Sequence, residues 1–215
     1  HSLAMDNIVE YKGEWWFLAL KDNSIYKMER TTLKATLVKR IPYGADFLGD
    51  HPQYGKIHLY QNKIFVIPMI GDEIAVYDME KDAVRYIRYG KSDPCRGTVF
   101  AEKIEYGGKL YLIPCGYDYI VCIDLETEQF RNIVVGDEKG TSVHKTVDAY
   151  AWGSVFWDGK KAIFTKITDN KLICMDFESE AKTVYECGLL DGGGSGICGD
   201  EDCIWIVPKR ADKIL

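Results

Sequence analysis

The sequence lacks the segments on which membrane-spanning and nucleic-acid-binding proteins depend. No apolar run approaches the roughly 18–20 residues that a membrane-spanning helix needs. Lys and Arg are scattered and the net charge is −6, which disfavours a nucleic-acid or anionic-membrane partner. The chain also begins without the charged and apolar regions of a signal peptide, and residues 1–5 are interpreted as a vector remnant or tag.

Metal-binding cysteine patterns are missing as well. The seven cysteines include no Cys-x-x-Cys pair, and Cys198 and Cys203 have four residues between them, a spacing that structural zinc sites seldom use. Most cysteines lie inside apolar runs, so we expect buried free thiols, which fit a reducing cytoplasm better than an oxidising compartment. The sequence therefore predicts no metal, no cofactor and a cytoplasmic location. For the location, a leader removed during cloning is the alternative, because it would leave the same N-terminus.

Helical periodicity is also absent, and the sequence contains a repeat instead. No apolar stripe with a period of about 3.6 residues reaches helical length, which favours an all-β fold. The segment from Lys63 to Pro68 aligns without a gap to the segment from Lys109 to Pro114. The same register includes three more segments, so that equivalent positions recur roughly every 40–50 residues. These positions are Glu14, Lys63, Lys109, Lys161 and Cys203.

Each repeat divides into four short strands, as a β-propeller blade does. The first strand ends in a tight turn, such as Tyr106-Gly107-Gly108, where Gly or Asn supplies the positive φ that the turn requires. The second and third strands are continuous apolar runs, typical of strands buried on both faces, and the fourth alternates like an outer edge. A β-sandwich needs only about 7–9 strands, whereas about eighteen are expected here. We predict an all-β fold, a β-propeller of four-stranded antiparallel blades.

About four and a half blades are present, within a single predicted domain at residues 6–215. The blades are placed approximately at 6–42, 55–90, 99–136, 150–190 and 194–215, the last one truncated. A closed ring covers the apolar faces of every blade, so an incomplete ring is expected here. It is compatible with a larger ring of six to eight blades or with self-association through open blade edges. An irregular five-bladed ring is the alternative.

The stretch from Gly108 to Pro114, together with Ile120-Val121-Cys122-Ile123-Asp124-Leu125-Glu126-Thr127, resembles blades of kelch-type and quinoprotein-like propellers. Those families share this form in their second and third strands. The chain departs from both, because Ile67-Pro68 and its equivalents replace the kelch glycine doublet and the quinoprotein Trp motif is absent. The resemblance implies the propeller fold and transfers no functional residue.

Function in a repetitive fold concentrates in the loops that differ between repeats. Here these are the interblade segments at 42–55, 90–98, 136–149 and 190–196. The candidate ligand-binding residues lie in or directly after them: His51, Asp93, Arg96, His144, Lys145, Asp148 and Trp152. The run from His144 to Trp152 suits recognition of a sugar or a carboxylate, and His144 has the chemistry of a general base. A plain surface loop remains the alternative in each case.

Other polar patterns are interpreted as structural. The Gly-rich run at 191–196 lacks the following helix and the Gly-Lys-Ser/Thr of a phosphate-binding loop. The acidic run at 199–202 lacks the spacing of a calcium loop. Asp78, Asp124 and Asp176 end the third strands, and we expect each to accept backbone hydrogen bonds in the following turn.

No nucleophile or carboxylate pair stands out in the sequence, and the catalytic residues, if any, are unknown. The sequence favours a non-enzymatic binding module that recognises a protein or glycan ligand on the face with the interblade loops. The alternative is a glycan-acting hydrolase or lyase with its site at the channel mouth. Its candidates are His51, Asp93, His144 and Asp148, and their convergence in space would favour the enzyme.

Overall fold

A computed structural model describes residues 4–42, 53–69, 71, 73–89, 100–114, 119–135, 152–166, 171–186, 194–200 and 203–208. These residues form eighteen strands and no helix, so the all-β prediction and the predicted strand number are confirmed. Four of the sheets contain four antiparallel strands each, and a fifth contains two. Within every sheet, strands that follow one another in the chain are neighbours.

The sheets coincide with the predicted blades and are numbered accordingly. Blade 1 contains β1 (Ile8–Tyr11), β2 (Glu14–Ala19), β3 (Ser24–Met28) and β4 (Ala35–Arg40). Blade 2 contains β5 (Tyr54–Tyr60), β6 (Lys63–Pro68), β7 (Glu73–Asp78) and β8 (Ala83–Arg88). Blade 3 contains β9 (Phe100–Tyr106), β10 (Lys109–Pro114), β11 (Tyr119–Asp124) and β12 (Phe130–Val134). Blade 4 contains β13 (Trp152–Trp157), β14 (Lys161–Lys166), β15 (Lys171–Asp176) and β16 (Lys182–Glu186), and blade 5 contains β17 (Gly194–Gly199) and β18 (Ile204–Pro208).

The chain divides into two compact units, unit 1 at His1–Thr98 and unit 2 at Val99–Leu215. Unit 1 contains blades 1 and 2, and unit 2 contains blades 3, 4 and 5. A single domain over residues 6–215 stays a prediction.

In unit 1 one face of blade 1 packs against one face of blade 2. Trp16 and Leu18 from β2 share an apolar core with Ile64 and Val66 from β6. Successive side chains point to opposite faces of a strand, so a strand covered on both sides must be apolar at successive positions. All six residues of β7 are buried, and the four from Ile74 to Tyr77 are apolar, as this requirement predicts.

Unit 2 repeats this packing at the same positions of the repeat. Tyr111 and Ile113 from β10 share a core with Ala162 and Phe164 from β14. Aromatic rings dominate the contact: the Phe177 ring centroid lies 4.3 Å from that of Tyr111 and 5.2 Å from that of Trp157. The fourth strands are more exposed, and β16 is exposed at all five positions, which confirms the predicted outer edge.

The tight turns after the first strands use positive φ angles, as predicted. Gly107 and Gly108 have φ of 58° and 73°. Positive φ was predicted for Gly and Asn only, whereas Lys12 also adopts it, with φ of 51°. In blade 2 the positive φ of 52° is at Gln61 and not at Asn62, so the prediction is wrong for that turn. The left-handed conformation costs such residues about 1–2 kcal/mol, which the matching twist of the hairpin strands offsets.

The turns between third and fourth strands place an acidic residue where it can join neighbouring blades. Asp82 of blade 2 has φ of 48° and its carboxylate lies 2.9 Å from Lys39 Nζ of blade 1. Glu180 of blade 4 has φ of 57° and pairs with Arg131 of blade 3. Each unit therefore has an ion pair between consecutive blades at the same turn position.

The cysteines correct one expectation. Cys122, Cys174, Cys198 and Cys203 are free thiols, and Cys122 is buried as predicted. Cys198 and Cys203 are exposed, so the expectation of burial is wrong for this pair. The reason is that both lie on the hairpin of blade 5, one side of which stays open to solvent. The other three cysteines lie outside the described residues.

Candidate functional site

Most of the predicted ligand-binding residues lie outside the described residues. These are His51, Asp93, Arg96, His144, Lys145 and Asp148. Trp152 has a described backbone, which opens β13 and pairs with Lys166 of β14. The register of that strand places Trp152 at the end of blade 4 that carries the interblade loops. A site formed by these residues stays a prediction.

The two ends of each blade are built differently. The loop end carries the interblade loops and the turns between second and third strands, and the turn end carries the other two turns. In unit 1 the loop end contains buried polar side chains that were not predicted as ligand-binding residues. Among them are Asn23, Ser24, Gln53, Tyr54 and Glu73. Burial of this kind is costly unless the polar atoms are bonded, so their partners matter.

Asn23 occupies the turn between β2 and β3 with φ of 51°, a conformation that Asn tolerates well. Its backbone carbonyl accepts a hydrogen bond from the Ile41 N–H at 2.9 Å, which connects the turn to the end of β4. The side chain is fully buried, and neither its oxygen nor its nitrogen has a hydrogen-bond partner. The unbonded amide was not foreseen.

Tyr54 begins β5, and its ring belongs to the core between blades 1 and 2. The hydroxyl is buried without a hydrogen-bond partner. Burial raises the pKa of Tyr54, and the nearby Tyr86 and Glu73 raise it further. The Glu73 carboxylate in turn accepts a hydrogen bond from Arg88 Nε at 2.5 Å. Tyr54 is therefore a neutral hydrogen-bond donor at neutral pH.

Hydrogen bonds to two main-chain carbonyls hold the neighbouring part of blade 2. The Met69 N–H donates to the Gln53 carbonyl at 2.7 Å, and the Tyr89 hydroxyl donates to the Gly71 carbonyl at 2.6 Å. Gly71 has φ of 119°, which only glycine adopts readily. These contacts hold Met69 and Gly71 beside the buried polar side chains.

The turn end, by contrast, uses its acids for structure. Asp124 Oδ1 accepts hydrogen bonds from the N–H groups of Glu126 at 3.2 Å and Thr127 at 2.7 Å. Asp78 and Asp176 accept the same pair of hydrogen bonds, from the backbone N–H groups two and three positions further along the chain. The prediction for these three residues is confirmed. The backbone hydrogen bonds are the main cause that lowers the pKa of each carboxyl, so these shifts reflect turn formation.

The described residues contain neither a group of metal ligands nor a membrane-spanning helix. Across the described part of the chain, no three His, Cys, Asp or Glu side chains are grouped so that they could hold a metal ion. The described residues also contain no helix of the length and apolar character needed to cross a membrane.

No protein family and no curated protein sequence matches the chain. Solved structures do. Streptogramin B lyase matches with a TM-score of 0.64 and 14% identity, over 97% of this chain and 63% of that chain. Hsv2 of Kluyveromyces lactis matches with a TM-score of 0.54 and 10% identity, over 96% of this chain and 59% of that chain. PorZ, a surface component of the type-IX secretion system of Porphyromonas gingivalis, matches with a TM-score of 0.56 and 14% identity, over 95% of this chain and 26% of that chain.

These similar structures have β-propeller-like folds, and the chain spans less than two thirds of each. Together with the four-stranded antiparallel sheets, they confirm the predicted β-propeller fold. Identities of 10–14% show the fold alone and carry no activity or ligand across.

Proposed function

We propose that this β-propeller chain is a non-enzymatic binding module that recognises its ligand at the loop end. One observation carries the proposal: the carboxylates at the turn end are hydrogen-bonded, whereas the loop end buries polar atoms that have no partner. At the turn end, Asp78, Asp124 and Asp176 have their carboxylates bonded within their own turns. At the loop end, Asn23 and Tyr54 bury polar atoms without a partner. A ligand or bridging water that bonds such atoms recovers part of their desolvation cost, about 1–3 kcal/mol per group.

A glycan is the ligand class that we favour over a protein. The predicted loop residues combine the aromatic Trp152 with hydrogen-bonding side chains at His144 and Asp148. A sugar presents an apolar ring face, which packs on an aromatic ring, and hydroxyl groups, which bond to polar side chains. His51, Asp93, Arg96 and Lys145 are proposed to contribute from the other loop positions.

The test uses the full chain and a panel of soluble neutral and acidic oligosaccharides, with affinities measured by calorimetry. Trp152→Ala and His144→Ala should each weaken binding about tenfold or more, as expected for residues at the centre of a site. Glu178→Ala is the matched control, because Glu178 lies at the turn end, where it forms an ion pair with exposed Lys160. Binding to an immobilised peptide library tests the alternative of a protein ligand. Binding to neither probe, or equal loss in all three variants, would contradict the proposal.

A glycan-acting hydrolase or lyase is the second candidate. A fold of this kind carries a lyase in streptogramin B lyase, which matches 97% of this chain at 14% identity, so the fold is compatible with this candidate. His51, Asp93, His144 and Asp148 would supply the acid and base groups at the channel mouth. Product formation from any oligosaccharide of the panel, abolished by His144→Ala, would support the enzyme. Binding without turnover would support the binding module.

Two finer predictions belong with this proposal. The kelch-type or quinoprotein-like character of the blades is supported by the strand motif from Gly108 to Thr127. The cytoplasmic location is supported by free thiols at Cys122 and Cys174, which persist most readily in a reducing compartment. Fractionation of the source cells tests the location directly.

A further inference from the structure

Blade 2 combines a buried carboxylate with an exposed guanidinium at its loop end. Glu73 is the first residue of β7, and its direct cross-strand partner is Arg88, the last residue of β8. The side chain of Glu73 is 9% exposed, whereas that of Arg88 is 63% exposed. Arg88 Nε donates a hydrogen bond to Glu73 Oε1 at 2.5 Å. Because a carboxylate is costly to bury unless it is paired, this contact stabilises both the acid and the position of the guanidinium.

This pair is not a general feature of the repeat. The residues at the Glu73 position in blades 1, 3 and 4 are not acidic, and they are Ser24, Tyr119 and Lys171. In blade 1, Arg40 lies opposite a serine. In blade 4 the last residue of the fourth strand is an acid, Glu186, and it is exposed. Among the blades whose third and fourth strands are described, blade 2 alone holds an exposed arginine on a buried acid.

The residues around Arg88 are held in place as well. Tyr89, the next residue, is 1% exposed, and its hydroxyl donates to the Gly71 carbonyl at 2.6 Å. Tyr86 lies two residues before Arg88 on the same side of the strand, and its hydroxyl donates to the Pro42 carbonyl at 3.2 Å. Together with the ion pair, these contacts restrict the guanidinium before any ligand binds. A restricted side chain loses less conformational entropy on binding, which favours affinity.

We propose that Arg88 binds a carboxylate of the ligand, so that the glycan recognised at the loop end is an acidic one. A guanidinium has five N–H donors, so one arginine can bond to a protein carboxylate through Nε and to a ligand carboxylate through its terminal nitrogens. Since Glu73 is buried and Arg88 is exposed, the pair presents its positive end to solvent. Glu73 is then a positioning residue. The inference rests on the proposed function, because it names the class of glycan.

The position of Arg88 in the chain agrees with this role. It lies two positions before the interblade segment at 90–98, which contains the predicted ligand-binding residues Asp93 and Arg96. A ligand that contacts this segment therefore comes close to the end of β8. The sequence analysis missed Arg88 because it is part of a strand, and because nothing in the sequence shows that Glu73 is buried beside it.

Calorimetry of the full chain with uronic-acid oligosaccharides, each paired with its own methyl ester, tests the inference. The two members of a pair differ in the charge of their carboxyl groups. The acid should bind about tenfold or more tightly than its ester, as expected for charge-assisted hydrogen bonds. Arg88→Gln should remove this preference while the ester still binds. Added salt should weaken binding of the acid more than binding of the ester.

Three further variants complete the test. Arg40→Gln is the matched control, because Arg40 is exposed at the same cross-strand position of blade 1, and it should leave the preference for the acid unchanged. The double variant Glu73→Gln/Arg88→Gln leaves no buried carboxylate unpaired, so it keeps the test valid if Arg88→Gln does not fold. It should lose the preference in the same way. Glu73→Gln alone should reduce it in part, and circular dichroism reports folding.

The possible failures can be told apart. Equal affinity for acids and their esters, or a preference that survives in both Arg88 variants, would overturn the inference and leave the binding module in place. An equal loss of preference in Arg40→Gln would also overturn it, since a general charge effect would then explain the result. Binding of no oligosaccharide would overturn both the inference and the proposed function.

Discussion

Units 1 and 2 join consecutive blades with the same turn but with different side chains. In unit 1 the Tyr77 hydroxyl, from the same blade as Asp82, donates to that carboxylate at 3.0 Å. In unit 2 the hydroxyl near Glu180 is that of Tyr111, which comes from the neighbouring blade, at 3.5 Å. The turn has the same backbone conformation in both repeats. The tyrosine beside its acidic residue comes from the same blade in unit 1 and from the neighbouring blade in unit 2. Equivalent positions therefore need not carry equivalent interactions.

The two interfaces also differ in what fills them. Unit 2 relies on an aromatic cluster around Phe177, where unit 1 has Met79 at the same repeat position. Unit 1 adds a polar bridge instead: the Asn7 side chain donates to the Ile57 carbonyl at 2.9 Å and accepts from the Ile57 N–H at 2.8 Å. The Asn7 amide thus behaves like one more residue of a strand beside β5. Three predictions test this contrast, and one tests the turn acids that both units share.

Phe177→Ala should have the largest effect, because it removes the ring around which the unit 2 interface packs. We expect a loss of about 3–5 kcal/mol in the free energy of unfolding. Met79→Ala, the matched change in unit 1, should cost less because Met79 is only partly buried. Denaturant unfolding of both variants measures the difference. Equal losses would remove the contrast between the two interfaces.

Asn7→Ala should cost about 1–3 kcal/mol, because it leaves the N–H and carbonyl of buried Ile57 without partners. Asn132→Ala, on an exposed position of β12, should change stability by less than about 0.5 kcal/mol. Amide hydrogen exchange at Ile57 should accelerate in Asn7→Ala alone. An unchanged exchange rate would show that the bridge does not hold blade 1 to β5.

Asp124→Asn tests whether the turn acids act through charge. The pKa of Asp124 is lowered in the folded chain, so its stabilisation is present above the unfolded pKa of about 4 and is lost as pH falls through the lower folded value. The variant should be less stable than the wild type at neutral pH, and the difference should vanish in acid. Asp176→Asn should behave alike, because the turn is the same. Thermal unfolding from neutral pH to about pH 2 is the measurement, and a pH-independent difference would argue against a charge effect.

The smallest effect is expected for the ion pair between Arg131 and Glu180. A double-mutant cycle with Arg131→Ala and Glu180→Ala should give a coupling of about 0.2–1 kcal/mol that weakens with added salt. The same cycle on Lys39 and Asp82 should give no larger coupling, since Asp82 is the more exposed acid. A coupling above this range that resists salt would show that the ion pairs, rather than the cores, join the blades.

Much of the fold was predictable because it depends on local patterns. The apolar runs of the second and third strands, the positive φ at Gly107 and Gly108, and the capping by Asp124 involve residues that are close together in the chain. The candidate site was less predictable. Asn23 was recognisable as a turn residue, but the burial of its unbonded amide results from packing around it. Glu73 and Tyr54 lie nineteen positions apart in the chain, and no sequence motif connects them.

The sequence by itself determined the repeat, the alternation of side chains and the chemistry of the turns, because a strand register and a hairpin turn are set by neighbouring residues. Only the tertiary structure decided which faces of the blades are covered. Trp16 and Trp205 occupy the same position of the repeat, yet one is buried and the other exposed. Burial depends on whether a distant segment reaches that face, and nothing in the local residues specifies it. The same reason makes Cys198 and Cys203 exposed while Cys122 is buried.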